Sequence, residues 1–427
     1  MTPELIISIF FLIFKTWWWL FLPIIFYFPA VYLYLDWIRW DVWYPKKKWV
    51  ILEIIPPGEI TKPFRATEDL FSSLWALYSS PNWRGKWCEG ELPVASAWFS
   101  WEILGFEGNV HFYLRLPDDQ RKYAETIIQA HYPETEIFEV DDYVKNIPQD
   151  IPNNIYDLKA EDYILRTKDY FPIKTYKFFE PSTPELIKEG EKKIDPFSSL
   201  MEAMTKLQKG EQFWFQIVSS PITNKDIPWV DEAKKEINKI AQRPGGAKKG
   251  KSIIQEVIDI LIFNIFSSGS SEKSAESKMQ ITPGEKDILT AIEEKISKNA
   301  FKTNIRALYI YQKDVYDASH AAIARNYFQH FSTANLNTIV LYTQTRTKIQ
   351  YWFRDRRLYA SKRSIFEKYV KRFPPLYPAM TGKGNMILNI EELATIFHFP
   401  IQTNILSSGV PRIMSRRATP PGNLPMG

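Results

Sequence analysis

FSWEILGFEGNVHFYLRLP, residues Phe99 to Pro117, spells two strands and the turn between them. Phe99, Trp101 and Ile103 share one face of the first. In the second, Val110, Phe112, Leu114 and Leu116 alternate with His111, Tyr113 and Arg115. Successive side chains of a strand point to opposite faces, so each run turns one set of residues toward a core. Gly105 to Gly108 supplies the turn, and the stretch reads as a β-hairpin.

Working outward, Trp49 to Ile55 is strand-like and is stopped by Pro56, Pro57 and Gly58. Thr67 to Ser79 reads as a helix, because Leu70, Leu74 and Leu77 with Phe71, Trp75 and Tyr78 make an apolar stripe at helical spacing. Beyond the hairpin, Asp118 and Asp119 start a helix whose Tyr123, Ile127 and Ala130 face inward, and Glu136 to Val140 closes the run as a strand. The order is βαββαβ, the ferredoxin-like pattern, and it places a first α+β unit over residues 46–160.

The same order is expected over residues 161–345. Strand Ile173 to Phe179 and helix Pro196 to Gln208 open it, and Phe213, Phe215 and Ile217 mark the next strand. After an insertion at about 234–298, Asn304 to Tyr311 gives the third strand and Val315 to Phe331 a helix. FSSL occurs at Phe71 to Leu74 and again at Phe197 to Leu200, each on the first helix of its unit, which points to internal duplication. The insertion is rich in Lys, Ser and Gly, with a helical run from Ile253 to Phe266. Residues 346–411 hold a basic helix, Tyr351 to Arg372, and a short helix, Glu391 to Phe397. Residues 412–427 form a Pro-rich, linker-like tail.

The first 45 residues read as a membrane anchor. Leu5 to Leu35 is apolar apart from Lys15, and Thr16 to Leu35 carries no charge. Twenty helical residues span about 30 Å, one bilayer core. Trp17, Trp18 and Trp19 suit one interface, and Tyr34 and Trp37 the other; Pro23 and Pro29 predict kinks. Lys46, Lys47 and Lys48 follow the span, so the positive-inside bias predicts a single-pass protein of the cell membrane with a cytoplasmic C-terminal body. These lysines also suit anionic lipid headgroups. The expected fold class is therefore α+β: an N-terminal transmembrane helix followed by two tandem ferredoxin-like units, the second with a helical insertion.

Composition narrows the chemistry. With 427 residues the chain can bury substantial cores, and a net charge of +5 is too mild to imply a polyanionic partner on its own. One cysteine, Cys88, excludes an internal disulfide framework and a thiolate-rich metal site. Five histidines, His111, His131, His320, His330 and His398, show no ligand spacing such as HExxH, so no metal is expected. His320 and His330 fall on one predicted helix, roughly 80° apart around it.

Gly245 to Ser252 satisfies the nucleotide-loop formula GxxxxGK[ST] through Gly245, Gly250, Lys251 and Ser252. A working phosphate cradle follows a buried strand, whereas Asp231 to Gln242 reads as an amphipathic helix; the formula is taken as a decoy, with no enzyme activity and no cofactor expected. The other concentration of charge is Arg354, Arg356, Arg357, Lys362, Arg363, Lys368, Lys371 and Arg372, with Tyr351, Trp352, Phe353 and Tyr359 interleaved. It suits phosphate backbones, lipid headgroups, an acidic partner, or a merely solvated face.

Together, WVILEI from Trp49, HFYLRLP at His111 to Pro117, QAHYPETEIFEVDDY at Gln129 to Tyr143 and GEQFWFQI at Gly210 to Ile217 carry a resemblance. HFP at His398 to Pro400 and RRATPPGNLP at Arg416 to Pro425 extend it. The chain resembles the N-terminal region of membrane-anchored conjugative-transfer proteins of small-genome bacteria, relatives of the type IV secretion coupling ATPases. The resemblance implies a membrane and scaffold half that tethers a P-loop translocating ATPase, with membrane lipid, DNA and an oligomeric complex as further partners. The rival expectations are an NTPase acting through Gly245 to Ser252 and a nucleic-acid binder acting through Arg354 to Arg372.

Overall fold

Period-two alternation in the long apolar runs yields strands with two differently furnished faces, and these strands assemble into one sheet. The computed structural model describes residues 12, 15–56, 60, 63–79, 98–179, 195–241, 282–349, 352–372 and 384–400. The strands are β1 (Trp49–Ile55), β2 (Phe99–Phe106), β3 (Asn109–Pro117), β4 (Glu136–Val140), β5 (Tyr156–Leu165), β6 (Glu211–Ile222), β7 (Ala300–Gln312), β8 (Ile339–Leu341) and β9 (Met386–Asn389). Their order is β4-β1-β3-β2-β6-β7-β5-β8, with β9 on β7, and every pairing is antiparallel.

One face carries the larger core. Val110, Phe112, Leu114 and Leu116 of β3 meet Phe213, Phe215 and Ile217 of β6 there. Helices α2 (Pro63–Trp75), α3 (Arg121–His131), α4 (Pro196–Thr205), α7 (Ile323–Gln329) and α9 (Ile390–Ile396) bring their apolar residues to it. Burying each large apolar side chain contributes about 1.5–3 kcal/mol, so these alternating positions dominate the stability. Both FSSL words lie here: Phe71, Leu74, Phe197 and Leu200 are all buried. Space is tight at Gly105, where a Cβ would sit 2.9 Å from that of Met204 in α4.

The other face is covered at its centre by α8 (Arg354–Lys371), whose Ile365, Phe366 and Tyr369 pack with Trp214, Leu308 and Ile310. Two further helices, α5 (Trp229–Ile240) and α6 (Pro283–Ile296), pack against each other beside Tyr170.

The structure corrects the expected fold class in two respects. First, no helix among the described residues is long and apolar enough to cross a membrane. Helix α1 spans Phe21–Trp37, 17 residues, between a 3-10 turn at Trp18–Leu20 and a π-helical turn at Ile38–Trp43. At 1.5 Å per residue that is about 26 Å, short of the roughly 30 Å of a bilayer core. Second, the strands do not form two tandem ferredoxin-like units; they form a single nine-stranded sheet. The merger has a physical cause. A free sheet edge exposes a row of unpaired N–H and C=O groups. β2 and β6 remove each other's edge by pairing from Phe99↔Ser219 to Phe106↔Gln212. On either side of this seam the strands are arranged β4-β1-β3-β2 and, from the opposite border, β8-β5-β7-β6.

Ile173 to Phe179, expected as a strand, contains none; a 3-10 turn at Tyr176–Phe178 occupies part of it. Its backbone is satisfied differently: Ile173 N donates to Glu392 Oε1 at 2.9 Å and Tyr176 N to Thr395 Oγ1 at 3.0 Å. The strand that pairs with β7 over Ile305 to Gln312, on the side away from β6, is instead β5. The helix expected over Val315 to Phe331 is a 3-10 turn at His320–Ala322 followed by α7.

Candidate functional site

The sheet register lines up a row of polar residues beneath α8. Glu53 faces Tyr113, Tyr113 faces Glu102, Glu102 faces Gln216, Gln216 faces Arg306, and Arg306 faces Asp162. The row therefore crosses β1, β3, β2, β6, β7 and β5, and it passes straight over the β2–β6 seam.

Glu102 is its hub. Fully buried, it accepts bonds from Ser100 Oγ at 2.7 Å, Tyr143 OH at 2.7 Å and Gln216 Nε2 at 3.0 Å. Arg372, 1% exposed, adds two more, from Nε at 2.7 Å and Nη2 at 3.1 Å. The same guanidinium reaches Asp142 through Nη1 at 2.7 Å and Nη2 at 2.9 Å. Arg372 sits just past the end of α8 in a left-handed conformation, φ 49°, which turns its side chain back under the helix. Burial would lower the Arg372 pKa, but the charge of Glu102 and the bonds to Asp142 outweigh it and hold the guanidinium protonated. Burial pushes Asp142 up, and the bonds from Arg372 more than reverse this, leaving it below the usual carboxylate range. The phenols of Tyr143 and Tyr369, 2.8 Å apart, are pushed well up by burial and stay neutral. Farther along the row, Arg306 Nε donates to Asp162 at 2.6 Å.

A second ionic cluster fixes α9. Lys295 and Glu392, both inaccessible, pair at 2.9 Å, and burial raises the pKa of Glu392 despite that partner. Lys298 bridges Glu68 at 2.5 Å and Glu391 at 2.6 Å. His398 presents Nε2 to Asp195 at 3.0 Å and Nδ1 to the Ala394 carbonyl at 3.2 Å. Burial raises Asp195, and the charge and hydrogen bond of His398 overcome it, so the net shift is downward.

A cleft of about 370 Å³ between α4 and α7 is lined by Ser199, Glu202, Lys206, His320 and His330 among others. Glu211, buried at the start of β6, holds His320 Nδ1 at 2.8 Å and also accepts from Tyr309 OH. The break in the expected helix brings both histidines to this one cleft. Sequence reasoning missed Glu211 as the partner of His320, because 109 residues separate them. Among the described residues no group of three or more His, Cys, Asp or Glu could hold a metal ion.

The basic run divides in two. Lys362 is buried and pairs with Asp157 at 2.6 Å; Arg363 bonds Glu367 at 3.0 Å and reaches the Gln149 carbonyl; Arg372 closes the polar row. Arg354, Arg356 and Arg357 are exposed, beside Trp352, 86% exposed, and Phe353, 74% exposed. Lys371 also lies at an exposed position. The fully buried residues of α8 begin at Lys362 and continue with Ile365, Phe366 and Tyr369, while Leu358 and Ser361 before them are half-buried. The first two turns thus carry mostly exposed side chains.

Of the residues assigned to the membrane segment, Trp17, Trp18 and Trp19 are exposed, as are Pro23, Tyr34 and Trp37; Pro29 lies inside α1, and Lys46 and Lys48 are exposed where the chain enters β1. Lys47 is half-buried. Gly245, Gly250, Lys251 and Ser252 lie outside the described residues.

No curated protein matches this sequence. Residues 45–405 match the model of the family described as Domain of unknown function (DUF8128), a span that takes in every strand of the sheet, and the chain therefore belongs to that family.

Proposed function

We propose that this protein is a scaffold that works at a membrane surface as an accessory module of a type IV secretion-like or conjugative DNA-transfer system. Its task is to hold a translocating ATPase there. One observation carries the reading: the buried ionisable groups are engaged with one another, while the exposed large apolar side chains are concentrated in two stretches, residues 12–37 and 352–359. Exposed aromatic surface on that scale marks interaction sites. A rigid nine-stranded platform presenting such surface raises the effective concentration of a partner without chemistry of its own. The resemblance to conjugative-transfer proteins makes an ATPase of that system the partner to seek first.

Crosslinking in cells followed by purification from detergent tests this. Recovery of a P-loop ATPase is the expected result, and a chain that crosslinks to no protein would overturn it. A second reading, proton transfer in the cleft at His320, is favoured by the 2.8 Å contact from Glu211. It predicts that His320→Gln removes an activity which the scaffold reading does not require.

A further inference from the structure

Helix α8 violates a simple electrostatic preference. The N-terminus of a helix is the positive end of its dipole and favours acidic side chains. Here the first turns carry Arg354, Arg356 and Arg357 against a single carboxylate, Asp355. The cap adds a further cost. Phe353 adopts φ 58°, a left-handed conformation uncommon for a bulky residue, and makes no side-chain cap bond. This kink delivers Trp352 and Phe353 into solvent at the point where the helix begins. Tyr359, 52% exposed, lies on the same turns. These side chains are exposed rather than packed in a core, so the arrangement points to something outside the fold.

We propose that these two turns of α8 are a docking surface for an anionic lipid bilayer, with Trp352 and Phe353 inserted at headgroup depth and the three arginines on lipid phosphates. Charge complementarity and the aromatics together select this occupant. Arginines alone would serve the backbone of duplex DNA equally well, but its bases are already stacked on one another, so phosphate contacts there leave Trp352 and Phe353 in water. The bilayer interface takes both kinds of side chain at once: aromatic rings rest at the headgroup level and basic residues beside them meet negative charge. The setting rests on the scaffold reading above, yet the contact requires no ATPase and is tested without one.

A fluorophore sensitive to polarity, attached at Trp352→Cys in a Cys88→Ser background of the full chain, reports the contact. Vesicles of phosphatidylcholine are compared with vesicles containing phosphatidylglycerol, and lipids spin-labelled near the headgroup serve as quenchers. Quenching at position 352 is expected in the anionic vesicles. Substituting Arg354→Gln, Arg356→Gln and Arg357→Gln together should weaken the vesicle affinity that it reports roughly a hundred-fold. A probe at Ile155→Cys, exposed elsewhere on the body, should stay unquenched. A probe at 352 that remains in water beside anionic vesicles would overturn the proposal, as would quenching indifferent to the arginines. So would an arginine variant that loses duplex DNA binding while its lipid quenching is unchanged. Failure of ATPase capture with quenching intact would sink the partner and leave this surface standing.

Discussion

The two ends of α8 carry similar residues in opposite surroundings. At its C-terminal end Lys362 and Arg372 are buried on carboxylates supplied by β5, β2 and the turn after β4; at its N-terminal end Arg354, Arg356 and Arg357 face solvent. Both stretches are basic in sequence, and the tertiary partners decide which cations hold the fold and which remain available to a ligand. A buried pair is strongly destabilised when one member is removed, because the other is left as an uncompensated charge; an exposed cation leaves nothing behind.

Substitutions at the two ends should separate them sharply. Arg372→Ala strands Glu102 in the core and is expected to cost about 3–5 kcal/mol in denaturant unfolding. Replacing both, Arg372→Met with Glu102→Leu, should recover part of that loss, and a double-mutant cycle showing no coupling would contradict the hub assigned to Glu102. Lys362→Ala, which releases the less buried Asp157, should cost about 1–2 kcal/mol. At α8 acid should act on the C-terminal end, through Asp142, and it should act separately on the Asp195–His398 pair at α4. Asp142, and Asp195 beside His398, have folded pKa values below their unfolded ones. Their contribution is therefore complete above the ordinary carboxylate range near pH 4 and is lost as pH falls through the folded values. An unfolding midpoint independent of pH between about 5 and 2 would rule this out. Last and smallest, Arg356→Gln should leave stability unchanged.

The sequence made the strands with clean alternation legible: β2, β3, β6 and β7 were all readable, and so was α8. β5 was not, because Asp157, Lys159, Glu161 and Asp162 interrupt its apolar pattern. Three of those carboxylates are matched by residues at least 144 positions away, Lys362, Arg325 and Arg306. The apolar run Ile173 to Phe179 misled for the converse reason. It lines the core as irregular backbone, since side chains of α9 serve N–H groups that would otherwise require a sheet partner. The basic cluster was visible as a cluster. Its division was not, because Glu102 lies 270 residues before Arg372 and nothing local announces the pairing.

The segment after β9 has a consequence for synthesis. Phe397 stands 4.5 Å from Trp101 and Phe399 5.4 Å from Phe112, ring to ring, so residues near 400 complete the packing around the hairpin at 99–117. From Trp101 to Phe397 is 397 − 101 = 296 positions, which a ribosome adding about 5–20 residues per second covers in about 15–60 s. For that interval the nascent hairpin can be covered by Phe71, made before it, and later by Phe197, but its contacts with Phe397 and Phe399 stay open until the last part of the sheet body is made.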